Sequence, residues 1–493
     1  MGENILFYLP AVPLGTSLLA FGLRSRRMVE VVHFAGSSIV ALLSLLLAQY
    51  VLSGQTLLAL NGMLYADSLT AVLVLIIGVV GFLDGFYSIG YMRYNLAHGE
   101  VDERGVCSYY GFYHILLLTM ILSALSNNIA LMWVAVEATT LGSAFLVGFY
   151  KYKTSAEAAW KYVLICSVGL AFALYGTILT YSNAFAMVQD AHRAMLWTEL
   201  VGMARGLDPQ VMKLAFVFIL IGFGAKVGLV PMHTWLPDTY SESPSPVSAL
   251  LSGVLMKCAL FAILRYYTIA LQAVGKEFPQ TLLLIFGLLS VGVSAFFILV
   301  QPDVKRKLAY SSVEHVGIIA TGLGAGGTLG VLAALFHAIN HSITKSLLFC
   351  TVGNVALKYG SRDSQKIRGM FKVAPVTAFL FTTGLLAVAG SPPFNIFASE
   401  FMTLMAGLQA GHFWPMILFL IFLVIVFVAF FILIGEAALG FPPEDLPRGD
   451  AGWLTLLPLG ILLVLMAGLG VHLPAPLNQL LQSAVSVVLG GEI

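Results

Sequence analysis

The chain alternates between apolar runs of membrane-spanning length and short polar joints. An α-helix of roughly 20 apolar residues crosses the hydrocarbon layer of a bilayer. Runs of that kind fall at 4–23, 29–52, 68–90, 108–126, 128–149, 156–181, 211–230, 247–270, 280–300, 304–322, 328–357, 373–409 with a break, 413–437 and 453–471. They predict an all-α polytopic membrane protein of about 14 transmembrane helices. A last apolar stretch, 475–490, is short and flanked by proline, and is expected to lie in the interface or pack on a partner. The first run lacks the basic flank of a cleaved signal and is expected to be retained.

Two runs are interrupted beside a charge. In VFILIGFGAKVGLVPMHTWLPD, Lys226 stands among Gly222, Gly224, Gly228 and Pro231. In AVAGSPPFNIFASEF, Gly390, Pro392 and Pro393 break the run and Glu400 follows. Glycine loosens a helix and proline removes a donor. Broken backbone at membrane depth is tolerated where it lines a cavity, and a charge there costs about 2.5–3.5 kcal/mol on insertion scales. Two such breaks in the two halves of a chain suggest inverted repeats. The expected division is 1–107 (helices 1–3), 108–270 (helices 4–8), 280–437 (helices 9–13) and 453–493, with helices 7 and 12 broken. Glu400 is expected where the first repeat places Lys226.

Composition agrees: 59% of residues are hydrophobic and 10% charged, with mean hydropathy +0.93, whereas soluble domains carry about 25% charge. A net charge of +1 gives no reason to expect nucleic acid. Cys107, Cys166, Cys258 and Cys350 lie far apart, without zinc or iron–sulfur spacing. There is no P-loop, dinucleotide fingerprint or HExxH. The longest joint, about 182–210, is too short for a soluble domain, so no cofactor is expected in this chain. Sixteen lysines and arginines lie in the odd-numbered joints, against Arg193, Arg205 and Lys276 in the even ones. The positive-inside rule then puts the odd joints in the cytoplasm and both termini on the other side.

Ionisable residues inside spans are functional candidates. Glu137 and Lys257 are each alone mid-helix. Glu157 and Lys161 are spaced i, i+4 for an ion pair near the cytoplasmic end. His337, His341 and Lys345 step by four along one helix face. Two histidines at that spacing also suit zinc, but no third ligand is near, and a proton relay fits better. His233, Asp238 and His315 are weaker candidates, each also suited to capping backbone freed by a break. Glu436 reads as an end-of-helix group.

The strings PMHTWLPD, SPSPVSALLSGVLMK, QPDVKRKLAYSSVEHVG and HAINHSITKSLLF resemble the antiporter-like membrane subunits of respiratory complex I and of Mrp-type antiporters. The surroundings of Glu137, VEATTLGSAFLVGFYKYKTSAEAAWKY, are most similar to the hydrogenase-4 component F subgroup of group 4 hydrogenase and formate hydrogenlyase complexes. The resemblance implies a proton path through Glu137 facing Lys226, then Lys257, the His337–His341–Lys345 face, and Glu400. It implies a complex I-like oxidoreductase assembly in the inner membrane. The partners would be further antiporter-like membrane subunits, lipids and a hydrogenase-like or iron–sulfur arm. The chain ends soon after helix 14, so the lateral arm of the largest antiporter-like subunit is not expected. Three functions compete: a proton-translocating subunit of a redox-driven complex, a subunit of an Na+/H+ antiporter, and a scaffold. The charged axis argues against the last.

Overall fold

The computed structural model describes residues 2–443 and 446–491, and almost all of them are helical. The chain opens with α1 (Gly2–Gly22) and α2 (Arg26–Leu52), then a small hairpin of β1 (Leu57–Ala59) and β2 (Leu64–Ala66). Next come α3 (Ser68–Ala97), α4 (Glu103–Leu125), α5 (Ile129–Val147) and α6 (Lys153–Val188). The short α7 (Trp197–Met203) lies in the longest joint, which is therefore not irregular throughout. The first interrupted run folds as α8 (Pro209–Val227) and α9 (Trp235–Glu242). After it, α10 (Ser245–Leu250), a π-helical turn (Leu251–Leu255) and α11 (Met256–Val274) form one unbroken rod.

The second part holds α12 (Glu277–Val300), α13 (Val304–Ala325) and the 33-residue α14 (Gly327–Tyr359). After the single turn α15 (Met370–Val373), the second interrupted run folds as α16 (Pro375–Val388) and α17 (Asn395–Gln409). The chain ends with α18 (Phe413–Leu439), α19 (Trp453–Val471) and α20 (Ala475–Val488). Each predicted span coincides with a helix or a helix pair. Eleven of these rods are long and apolar enough to cross a membrane. The central α13 and α14, loaded with charged and polar side chains, are not among them. The stretch expected in the interface or on a partner forms α20, packed on α3, α11 and α14 of the same chain.

Burial sorts the helices. The rod Ser245–Val274 is buried along its most apolar stretch, and α13 and α14 are buried for most of their length. Around them, α2, α6 and α18 expose apolar side chains such as Leu42, Trp160 and Phe431. Apolar outside and polar inside is the arrangement a bilayer demands. Small residues set the closest approaches: a Cβ on Gly222 of α8 would stand 2.3 Å from the Ala173 nitrogen of α6. On the α12–α13 seam, a Cβ on Gly287 would stand 2.6 Å from the Thr321 nitrogen. Without a hydrophobic drive between helices in lipid, such close backbone packing supplies the adhesion.

One buried ion pair locks the first half. Arg265 of α11 forks onto Asp67 at 2.6 and 2.9 Å and donates to Thr70 Oγ1 at 2.8 Å. Asp67 also caps α3 by accepting from the Thr70 amide, and Trp197 of α7 lies 3.9 Å under the guanidinium. Removing one partner of a buried pair leaves a bare charge, at about 3–5 kcal/mol. Arg265→Met is therefore expected to lower the unfolding midpoint of the detergent-purified protein, and adding Asp67→Asn to recover part of the loss. A single variant that melts like the parent would show that the pair is not a lock.

Candidate functional site

Lys226 occupies the last turn of α8, where the free carbonyls of a helix C-terminus favour a cation. Gly228 closes the helix at φ +93°, a conformation glycine adopts freely. The freed backbone finds partners: Trp235 Nε1 donates to the Ala225 carbonyl at 2.8 Å, and the Val230 amide donates to Ser290 Oγ at 3.0 Å. The fully buried Lys226 ammonium donates to Thr140 Oγ1 at 2.7 Å and Tyr162 Oη at 2.6 Å.

Glu137 and Lys226 form no ion pair among the described residues. Glu137 Oε1 instead accepts from Ser167 Oγ of α6 at 2.7 Å, while its buried Oε2 has no partner among the described residues. Thr140, which holds Lys226, lies one helical turn along α5 from Glu137, a rise of roughly 4.5 Å. The two charges thus address neighbouring turns of one helix.

The second lysine depends on the π-helical turn. Lys257, just past it, folds back so that Nζ donates to the Ser252 carbonyl at 2.7 Å. A π turn shifts the backbone register and frees such an acceptor. The same Nζ lies 2.5 Å from His341 Nδ1 on α14. The His315 and His341 rings stand 4.9 Å apart, His315 Nδ1 is 3.0 Å from His337 Nε2, and His337 Nδ1 is 2.9 Å from Ser399 Oγ. Ser399 spends its hydrogen on the Ile396 carbonyl at 3.0 Å and so accepts from His337. In neutral rings this makes His337 Nε2 an acceptor, His315 Nδ1 a donor, and His315 Nε2 a bare lone pair. His341, accepting from Lys257, carries its hydrogen on Nε2. Both Nε2 atoms are buried and, among the described residues, unpartnered, so no hydrogen bond joins His315 to His341 and the file is open there.

Lys345 turns to α13, donating to Ser311 Oγ at 2.7 Å and the Leu308 carbonyl at 3.0 Å. Glu400 lies in the second turn of α17, next to Ser399, with no hydrogen bond to its carboxylate among the described residues. Lys226 precedes its break and Glu400 follows its own, so the expected positional equivalence fails. Asp238 does not cap the break either: it pairs with Arg306 at 2.7 Å and Lys161 at 3.3 Å, and Lys161 also pairs with Glu157 at 2.6 Å. His233 lies beside Tyr310, off the file, with its Nδ1 unpartnered.

A family model described as "NADH:quinone oxidoreductase/Mrp antiporter, TM" matches residues 126–426, which include every residue from Glu137 to Glu400. A second, "NADH-Ubiquinone oxidoreductase (complex I), chain 5 N-terminus", matches 55–98. The chain belongs to the NADH:quinone oxidoreductase/Mrp antiporter family. It is similar to a hydrogenase-4 component F homolog of Methylacidiphilum infernorum, at 39% identity over 69% of this chain and 71% of that one. Among solved structures it is similar to a chain of the membrane-bound sulfane sulfur reductase, an archaeal respiratory membrane complex. That match has a TM-score of 0.88 and 26% identity over 99% of this chain and 98% of that one. A chain of the Mrp complex from Dietzia sp. shares the fold, at TM-score 0.87 and 18% identity over 99% and 97% of the two chains.

Within this family member, the sequence reading missed Thr140, Tyr162, Ser311, Glu314 and Ser399. The hydroxyls carry no pattern of their own, since serine and threonine are common in membrane helices. Glu314 had a signal, a carboxylate inside an apolar run beside His315, and it is buried with Oε2 unpartnered. Gly390, at φ +70°, shields Glu400: a Cβ there would stand 2.1 Å from Glu400 Oε2. Gly390→Ala is expected to strain the backbone by about 1–2 kcal/mol and to displace the carboxylate. The purified variant should melt about 1–2 °C lower. An unshifted melting curve would show that the break has slack.

Proposed function

We propose that the chain is a proton-translocating, antiporter-like subunit of a redox-driven membrane complex of the hydrogenase-4 or complex I type. The observation that carries this is the buried file Lys257–His341–His315–His337–Ser399, laid across α11, α13, α14 and α17. Lys226 and Glu137 stand at its first-half end and Glu400 at the other. In this reading 108–270 and 280–437 are two five-helix inverted repeats, each with one broken helix. Each group on the file either carries or accepts a proton at a nitrogen or oxygen, and each transfer moves one proton and no electrons. Lysine suits the task because it holds its proton beside a carboxylate and releases it when desolvated. Arginine does not release one.

The similarity to a hydrogenase-4 component F homolog supports a redox-driven assembly. The partners are other membrane subunits, further antiporter-like chains among them, and a hydrogenase-like or iron–sulfur arm that carries the cofactors. In this reading the chain lies in the cytoplasmic membrane, and the basic joints support an orientation with both termini outside the cytoplasm. The fold shared with an Mrp complex supports a second reading, an Na+/H+ antiporter subunit driven by an ion gradient. Copurification separates the two: a redox arm supports the first, and small membrane subunits alone support the second.

Lys226→Ala and Lys226→Arg are both expected to abolish proton movement by the complex in proteoliposomes, with the chain still inserted. Dye-monitored pumping that persists in either variant would sink the assignment of Lys226. Glu400→Gln keeps the shape but holds no exchangeable acid. It should lower protons moved per turnover while electron transfer continues; a normal ratio would return Glu400 to helix packing.

A further inference from the structure

Asp84, in the middle of α3, is fully buried and lies off the file. Its Oδ2 accepts from Ser346 Oγ of α14 at 3.0 Å, and Cys350 Sγ lies 3.8 Å from Oδ1. No cation pairs with it among the described residues. Two neutral donors in a membrane interior suit a group that exchanges a proton better than a fixed charge.

One residue along, the Gly85 carbonyl lies 3.0 Å from His33 Nε2 of α2, and His33 Nδ1 lies 3.0 Å from His114 Nε2 of α4. A carbonyl only accepts, so His33 Nε2 carries a hydrogen. In the neutral ring Nδ1 is then a lone pair, and His114 Nε2 donates to it. His114 Nδ1 is left as a bare lone pair, buried and, among the described residues, without a partner. Tyr110, stacked on His33 at 4.2 Å, has an unpartnered buried hydroxyl, as do Tyr109 and Ser37. Buried polar atoms left without protein partners between helices are the groups that internal water satisfies.

Two further groups flank the seam. On the side where the basic joints lie, Glu30 pairs with Arg93 at 2.7 Å beside a surface cleft of about 650 Å³. At the inner end, Ser346 follows Lys345. Its Oγ lies 2.8 Å from where a Cβ on Gly253 would stand, against the π-helical turn that holds Lys257.

We propose that Asp84 is a proton-holding site on a lateral branch, entered beside Glu30, relayed by the His33–His114 pair, and joined to the central file at Ser346. His114 Nδ1 takes the incoming proton, its Nε2 proton passes to His33 Nδ1, and the His33 Nε2 proton passes through water to Asp84. Each step makes one N–H or O–H bond and breaks one, with no electron moved. The branch rests on the proposed proton translocation, so its test must fail separately from that reading.

The test uses the whole complex in proteoliposomes and reads protons moved per redox turnover, with infrared difference spectra of the carboxyl region. Asp84→Asn is expected to lower the ratio by about half, as one of two feeds is lost, and to remove a carboxylic C=O band that changes during turnover. His33→Gln and His114→Gln, which keep hydrogen bonds but cannot relay, should lower the ratio similarly and slow that band. An unchanged ratio in both histidine variants overturns the branch even if Asp84→Asn does not assemble. A lowered ratio in Asp84→Asn without any turnover-dependent band makes Asp84 structural and also overturns it. Lys226→Ala run in parallel keeps the two readings apart: persistent pumping there removes the central file, whatever Asp84 does.

Discussion

A charge inside a bilayer must be solvated by the protein itself, and that constraint organises this molecule. Lys226 is solvated by a threonine, a tyrosine and a helix C-terminus, and Lys257 by a carbonyl freed at a π turn. Lys345 uses a serine and another helix carbonyl. None of the three is neutralised by a direct ion pair among the described residues. Neutral dipoles hold a cation without fixing its proton, whereas a paired carboxylate would anchor it. Full ion pairs are instead kept to helix ends and to the Arg265–Asp67 lock.

The same constraint explains the layering. Polar helices α11, α13 and α14 take the centre because lipid cannot satisfy them, and the apolar α2, α6 and α18 form the rim. The two halves also meet through ions at the helix ends beside the basic joints. Asp238 of α9 holds Arg306 of α13, and Glu242 of α9 holds Arg362, which also reaches Asp303 and donates to the Ser241 carbonyl. The end of the first broken helix is thereby tied to the second half.

Much of this was legible in the chain. Span positions followed from hydropathy because membrane helices have a fixed length, and both breaks were visible as glycine and proline. Lys226, Lys257 and Glu400 stood out because a charge in an apolar run has no bland company. What stayed hidden depended on rotation and register. Nothing in Leu251–Leu255 announces a π turn, and the distance between Glu137 and Lys226 depends on how α5 faces α8. Asp238 looked like a cap because it adjoins a break, yet arginine and lysine from other helices claim it. Asp84 was overlooked although it breaks an apolar run as plainly as Glu137 does.

The open junction between His315 and His341 bears on energy conservation. A membrane under voltage is a charged capacitor, and each proton crossing 100 mV is worth about 2.3 kcal/mol. A fully closed chain of hydrogen bonds would discharge it continuously, like a short circuit. Here the His315 and His341 rings lie tilted, 4.9 Å between centres, with no hydrogen bond between them. On the proposed path, that interruption falls at one pair of imidazoles.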